Sequence, residues 1–261
     1  MSTTMVVKIA VATGLYCALL LGTPPSQEVG SLISKLQSGD VSVRMAAFAE
    51  LKSRWNNTLR QPDVRQAILQ LLARETAWLR KFRRERGPAG SVGEGFSEYY
   101  ARVAGTAQTV ADYSNPEDLR ILAEASYNSD STFAKQLATH GQAIMPTVLK
   151  MAQSDLGYER AQAMGMLANI VERNPGLSTT ATDEAKNTIT KAASDPEVSV
   201  RYEAVRALGR VGDRTNVPRL EKIAAADPAS YAIDQNRLKF PVREIARKAI
   251  EEIAQRERQA R

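Results

Sequence analysis

Cysteine is almost missing from this chain: Cys17 is the single thiol among 261 residues, and it lies in an apolar run near the N-terminus. Past that run there is no disulfide framework and no thiolate metal site. Histidine is as scarce. With His140 alone, a centre built on several imidazoles is excluded, and any Ser-His-Asp relay would have to pass through that one residue. Aromatic residues make up 6%, so a core must be assembled from Ala, Leu, Val and Ile, which suits thin layers of helix on helix. No stretch alternates with period two, and no strand is expected. There is no Gly-x-Ser-x-Gly, and the glycine-rich stretch 87–95 lacks the Gly-Lys-Ser/Thr ending that would cradle phosphates. Neighbouring carboxylates such as Glu117-Asp118 and Glu251-Glu252 point apart on a helix. No catalytic residue, cofactor or metal is called for.

The longest apolar run is also short. Lys8 is followed by the thirteen residues 9–21 and then by Gly22-Thr23-Pro24-Pro25. A membrane span needs roughly 20 residues, whereas one basic residue, a short apolar segment and a helix-breaking pair make a secretory signal. Residues 1–26 are therefore expected to be a signal peptide, with Ser26 the best small residue for cleavage. The bulky Tyr16 before Cys17 argues against a lipoprotein. The expected location is secreted or periplasmic, with anchoring to the membrane if the segment stays uncleaved. The formal charge of +6 falls to +5 when Lys8 leaves with the leader.

What the sequence does hold is a five-fold echo: Arg, three residues on Ala, four more on a large apolar residue. The copies are Arg44-Ala47-Leu51, Arg120-Ala123-Tyr127, Arg160-Ala163-Leu167, Arg201-Ala204-Leu208 and Arg243-Ala246-Ile250, the last four arginines being 40, 41 and 42 residues apart. A near-fixed period of this size marks stacked helical hairpins, because each unit is too small to bury its apolar face alone. The expected architecture is an all-α solenoid. N-terminal helical repeats cover 27–86, a glycine-rich loop or hinge 87–97, and the regular array 98–261. Val29, Leu32, Ile33 and Leu36 form the first apolar stripe, and Asp63 opens a third helix. Asn115-Pro116 starts another. Pro146 is expected in a first turn, and His140 at a helix end before Gly141, a capping position. Further pairs cover 183–193 with 197–211 and 217–226 with 241–254, the last separated by a long link over 227–239.

The stretch from Ser194 to Gly212, with Asp195-Pro196 ahead of Val198-Ser-Val-Arg201, the shorter Asp40-Val-Ser-Val-Arg44, and His140 to Leu149 resemble HEAT-like repeats of the type first described in phycobilisome lyases. The likeness covers 115–255 well, 29–73 weakly, and fails around 74–98. It implies the fold and an interaction role rather than an activity. Asp40, Asp155 and Asp195 precede second helices, where a carboxylate caps unpaired N–H groups. Each echo arginine is expected to reach the aspartate of an adjacent repeat. The resulting ladder would comprise Asp40, Arg44, Arg120, Asp155, Arg160, Asp195, Arg201 and Arg243.

Two surfaces remain as candidates for function. Helical phase puts Tyr202, Arg206 and Arg210 on an expected concave face, where an unidentified protein partner would bind. The cations Arg74, Arg80, Lys81, Arg83, Arg84 and Arg86 could meet lipid headgroups or another polyanion; export argues against nucleic acid. A non-catalytic exported scaffold is the leading reading. The alternatives are a bilin-lyase-like enzyme, suggested by the resemblance alone, and polyanion or nucleic-acid binding through 74–86.

Overall fold

A computed structural model describes residues 27–87, 92–93, 95–126, 130–234 and 237–260. The leader 1–26 and Tyr127 of the second echo lie outside the described residues. The chain divides into two units, up to Ala67 and from Ile68. The division falls inside a helix.

In the first unit, α1 (Gln27–Leu36) packs on α2 (Val41–Arg54). Of the expected stripe, Val29, Leu32 and Leu36 are buried and Ile33 is half-buried. The Asp40 carboxylate accepts the N–H of Ser42 at 2.7 Å, the expected cap. Helix α3 (Pro62–Arg86) starts in this unit with Pro at its first position and runs without a break through the basic stretch. It stops at Gly87, whose φ of 75° is left-handed and suits a residue without Cβ.

The second unit continues from α3 with α4 (Phe96–Val110), α5 (Pro116–Ala125), α6 (Thr132–Leu137), α7 (Gly141–Met151), α8 (Gly157–Arg173), α9 (Thr179–Ala192), α10 (Val198–Val211), α11 (Val217–Ala226) and α12 (Pro241–Gln259). Helices α7, α9 and α11 each pair with the helix that follows, and α8, α10 and α12 stack side by side in one row. The echo explains this row. Ala47, Ala123, Ala163, Ala204 and Ala246 are all buried, and small side chains let helix axes approach closely. Leu51, Leu167 and Leu208 are fully buried behind them, but Ile250 is only half-buried, and Ala249 and Ile253 fill its place. At Gly209 an added Cβ would lie 3.0 Å from Ala249 Cα, so α10 and α12 touch backbone to backbone there.

Three details differ from the sequence expectations. No strand is expected from the sequence, whereas β1 (Tyr231–Asp234) and β2 (Arg237–Lys239), within the link 227–239, form an antiparallel ribbon that pairs Tyr231 with Lys239 and Ala232 with Leu238. The strands are too short for alternation to register as a pattern. Pro146 sits inside α7 rather than in its first turn. His140 caps nothing with its side chain. It ends a 3₁₀ turn that runs into α7, with its ring 5.4 Å from that of Tyr113.

Candidate partner-binding surfaces

The ladder forms at one expected rung, Arg160–Asp195, and at a second, Arg201–Asp227, whose carboxylate was not among its expected members. Arg160 forks onto Asp195, with Nε and Nη2 each donating over 2.8 Å, while Nη1 donates to the carbonyls of Ser154 and Asp155 at 2.9 and 3.2 Å. Arg201 repeats the arrangement onto Asp227 at 2.7 and 3.2 Å, and its Nη1 closes on the carbonyls of Asp195 and Pro196. Arg44 makes the same backbone closure, donating to Ser38 and Gly39. Each such arginine ties down the loop ahead of its own helix. Arg160 and Arg201 also fix the register of the next repeat. Burial would raise the carboxyls of Asp195 and Asp227. The bonds from Arg160 and from the Glu197 N–H, and from Arg201 and the Ala229 N–H, outweigh it and hold both below the usual range.

Three members depart from the expected ladder. Arg120 is held on its own helix by Glu117 and Glu124, at positions i−3 and i+4. Arg243, in the last helix, donates to the carbonyl of Asp227 at 2.6 Å and lies 4.1 Å over the Phe240 ring. Asp155 takes its cation from α3: Arg84 donates to it twice, at 2.7 and 3.0 Å. No side chain caps α8; the Ser154 Oγ accepts from the N–H of Leu156, in the turn ahead of the helix. Asp227 was not expected in the ladder, although its Asp-Pro repeats that of Asp195-Pro196.

The basic run therefore splits by helical face. Arg80 bridges Glu124 of α5 and Glu159 of α8, and Arg84 holds Asp155, so these two cations fasten α3 to the array and are not available as an anion site. Lys81 stays exposed beside Glu85, Arg74 and Arg86 are exposed, and Arg83 is half-buried.

On α10, Tyr202 is half-exposed, while both arginines are engaged. Arg206 bonds Asp130 and Glu203; Arg210 bonds Glu172 and the buried Asn169. These are not free outward cations but parts of fixed ionic clusters linking α10 to α8 and to the start of α6. Burial outweighs the Arg206 contact at Glu203 and raises its carboxyl.

Sequence reasoning missed one concave feature. A pocket of about 420 Å³ is lined by Leu79, Arg83, Val92, Phe96, Tyr100 and Tyr158, with Ser97 at its edge. The Phe96 ring lies 4.5 Å from Trp78, and Trp78 stacks on Phe82 at 5.3 Å. Tyr100 is pinned through its hydroxyl, 2.9 Å from Thr76 Oγ1 and 3.3 Å from the Ala125 carbonyl. A signal was present: five aromatic residues fall within 78–100 of a chain otherwise poor in them.

Residues 145–235, from α7 to the ribbon, match the family model described as HEAT repeats. The match spans about a third of the chain, and the paired, stacked helices around it are of the same kind. No curated protein matches the chain. Such repeats are in general platforms for protein interaction, and proteins built of them are typically not catalysts. Among the described residues no group of three or more His, Cys, Asp or Glu could hold a metal, and no helix is long and apolar enough to cross a membrane.

Proposed function

We propose that this protein is an exported, non-catalytic scaffold that binds a protein partner on the row formed by α8, α10 and α12. The observation that carries this reading is the arrangement on α10, where Tyr202 stands beside arginines already immobilised by Glu203, Asp130, Glu172 and Asn169. A partner meeting such a face loses little side-chain freedom on binding, because the salt bridges have ordered it beforehand. Rigid repeats carrying a few aromatic anchors fit the way interaction energy concentrates in hot spots. The signal-like residues 1–26 support export.

The test is fractionation of cells producing the protein with a C-terminal tag, followed by mass spectrometry of co-purifying proteins. Wild type should sit in the exported or envelope fraction and retain a defined partner there, and Tyr202→Ala should lose that partner at unchanged melting temperature. A cytosolic protein, or retention unaffected by Tyr202→Ala, would count against the reading.

A further inference from the structure

We propose that the pocket between the end of α3 and the start of α4 receives an aromatic side chain from an acidic segment of the partner protein. This inference rests on the scaffold reading and names the chemistry of what is bound.

Size and lining come first. At about 420 Å³ the pocket is in the range of small-molecule sites and is large enough for an indole or phenyl ring. Its walls are mostly carbon, from Leu79, Val92, Phe96 and the ring of Tyr100. They are also held in place. Phe96 is 4% exposed and wedged against Trp78, with Tyr99 and Tyr100 rings at 5.9 and 6.2 Å. An entering ring would meet preset aromatic faces and edges, the arrangement that aromatic pairs prefer.

One polar group in the lining stands without a protein partner. The Tyr158 hydroxyl makes no hydrogen bond among the described residues, although the side chain is half-buried on the first turn of α8. Burial pushes its pKa up to about 12, so it is a neutral donor at any physiological pH. It can donate to a backbone carbonyl of a bound segment, and its oxygen can accept from an indole N–H.

The charge of the partner follows from how α3 is divided. Its flank carrying Arg80 and Arg84 is sewn to Glu124, Glu159 and Asp155. The flank over the pocket carries Leu79, Arg83 one turn on, and the exposed Arg86 three residues further. The rim is cationic and the floor apolar, which suits a ring flanked by carboxylates. Apart from Tyr158, the lining comes from the stretch 74–100, around the break in the repeat pattern at 74–98.

The test is fluorescence anisotropy on the full folded protein with three labelled peptides: Glu-Asp-Trp-Glu-Asp, the same with Ala for Trp, and Lys-Lys-Trp-Lys-Lys. The acidic Trp peptide should bind at least about tenfold more tightly than either control. Ser97→Trp, which fills the exposed edge of the pocket, and Arg86→Glu, which reverses the rim, should each remove about tenfold at unchanged melting temperature. Tyr158→Phe should weaken binding severalfold. Equal binding of the acidic Trp and Ala peptides would overturn the proposal and point to a general polyanion contact. Insensitivity to Ser97→Trp would overturn it as well. If the peptides fail while Tyr202-dependent capture of a partner persists, this pocket falls and the scaffold stands. Loss of capture with peptide binding intact gives the converse.

Discussion

Arg84 donates two hydrogen bonds to Asp155 across 71 positions of chain, taking the place that the repeat spacing would give to Arg120. Arg160 reaches Asp195, 35 residues on, and Asp155 stands at that same distance beyond Arg120. Two carboxylates on its own helix, Glu117 and Glu124, hold Arg120 back, and α3 supplies the rung. All three of Arg84, Arg120 and Asp155 line one open groove of about 800 Å³. The irregular segment 74–86 thus closes the N-terminal end of a regular ladder.

The Arg84–Asp155 pair is exposed on both sides, at 49% and 62%, so solvent screens it strongly. Arg84→Ala should lower the thermal midpoint by less than about 2 °C. Arg120→Ala, which breaks only contacts within its own helix, should do no more. Differential scanning calorimetry checks both.

Arg201 is different because its partner is buried. Asp227 has 5% of its side chain exposed, and removing the guanidinium leaves that carboxylate unpaired. Arg201→Ala should cost about 2–3 kcal/mol, with Arg160→Ala close behind. Denaturant melts will show it, and a retained midpoint together with lost partner binding would reassign these arginines from structure to recognition.

Acid sensitivity follows from the same two rungs. The carboxyls of Asp195 and Asp227 lie below the usual value of about 3.9, so they add stability in full above that value. That stability is lost as the pH falls through their lower folded values. Between about pH 5 and pH 2 the wild type should lose more stability than Asp195→Asn/Asp227→Asn, whose curve should be flatter on the acid side. Urea melts across this range measure the difference.

The glycines separate by what surrounds them. At Gly209 an added Cβ would meet Glu252 Oε2 at 2.5 Å and Ala249 Cα at 3.0 Å, whereas at Gly105 nothing lies within 4 Å. Gly209→Ala should destabilise by about 1–3 kcal/mol despite the better helix propensity of Ala. Gly105→Ala should stabilise by about 0.5–1 kcal/mol.

Much of the fold was legible in the sequence, because the echo encodes packing directly: all five alanines are buried, Asp40 and Asn115 cap their helices, and Asp195 accepts the N–H of Glu197 just ahead of α10. The ladder was legible where the loop between rungs was regular. It misled at Arg120 because local glutamates compete for the same cation, a contest that spacing alone does not decide. The ribbon at 231–239 and the short α6 were hidden by their length. The aromatic pocket was missed because its residues come from α3, α4 and α8, which are 79 positions apart at Arg80 and Glu159, and only folding brings them together.

The central claim is that recognition belongs to the α8, α10 and α12 row and not to the outer helices. Site-specific photocross-linking tests it most directly, with benzoylphenylalanine placed at Tyr202 on α10 or at the exposed Asn187 on α9 in the tagged protein. A discrete adduct at position 202 with none at 187 is the result this account predicts; adducts at 187 alone, or at neither position, would contradict it.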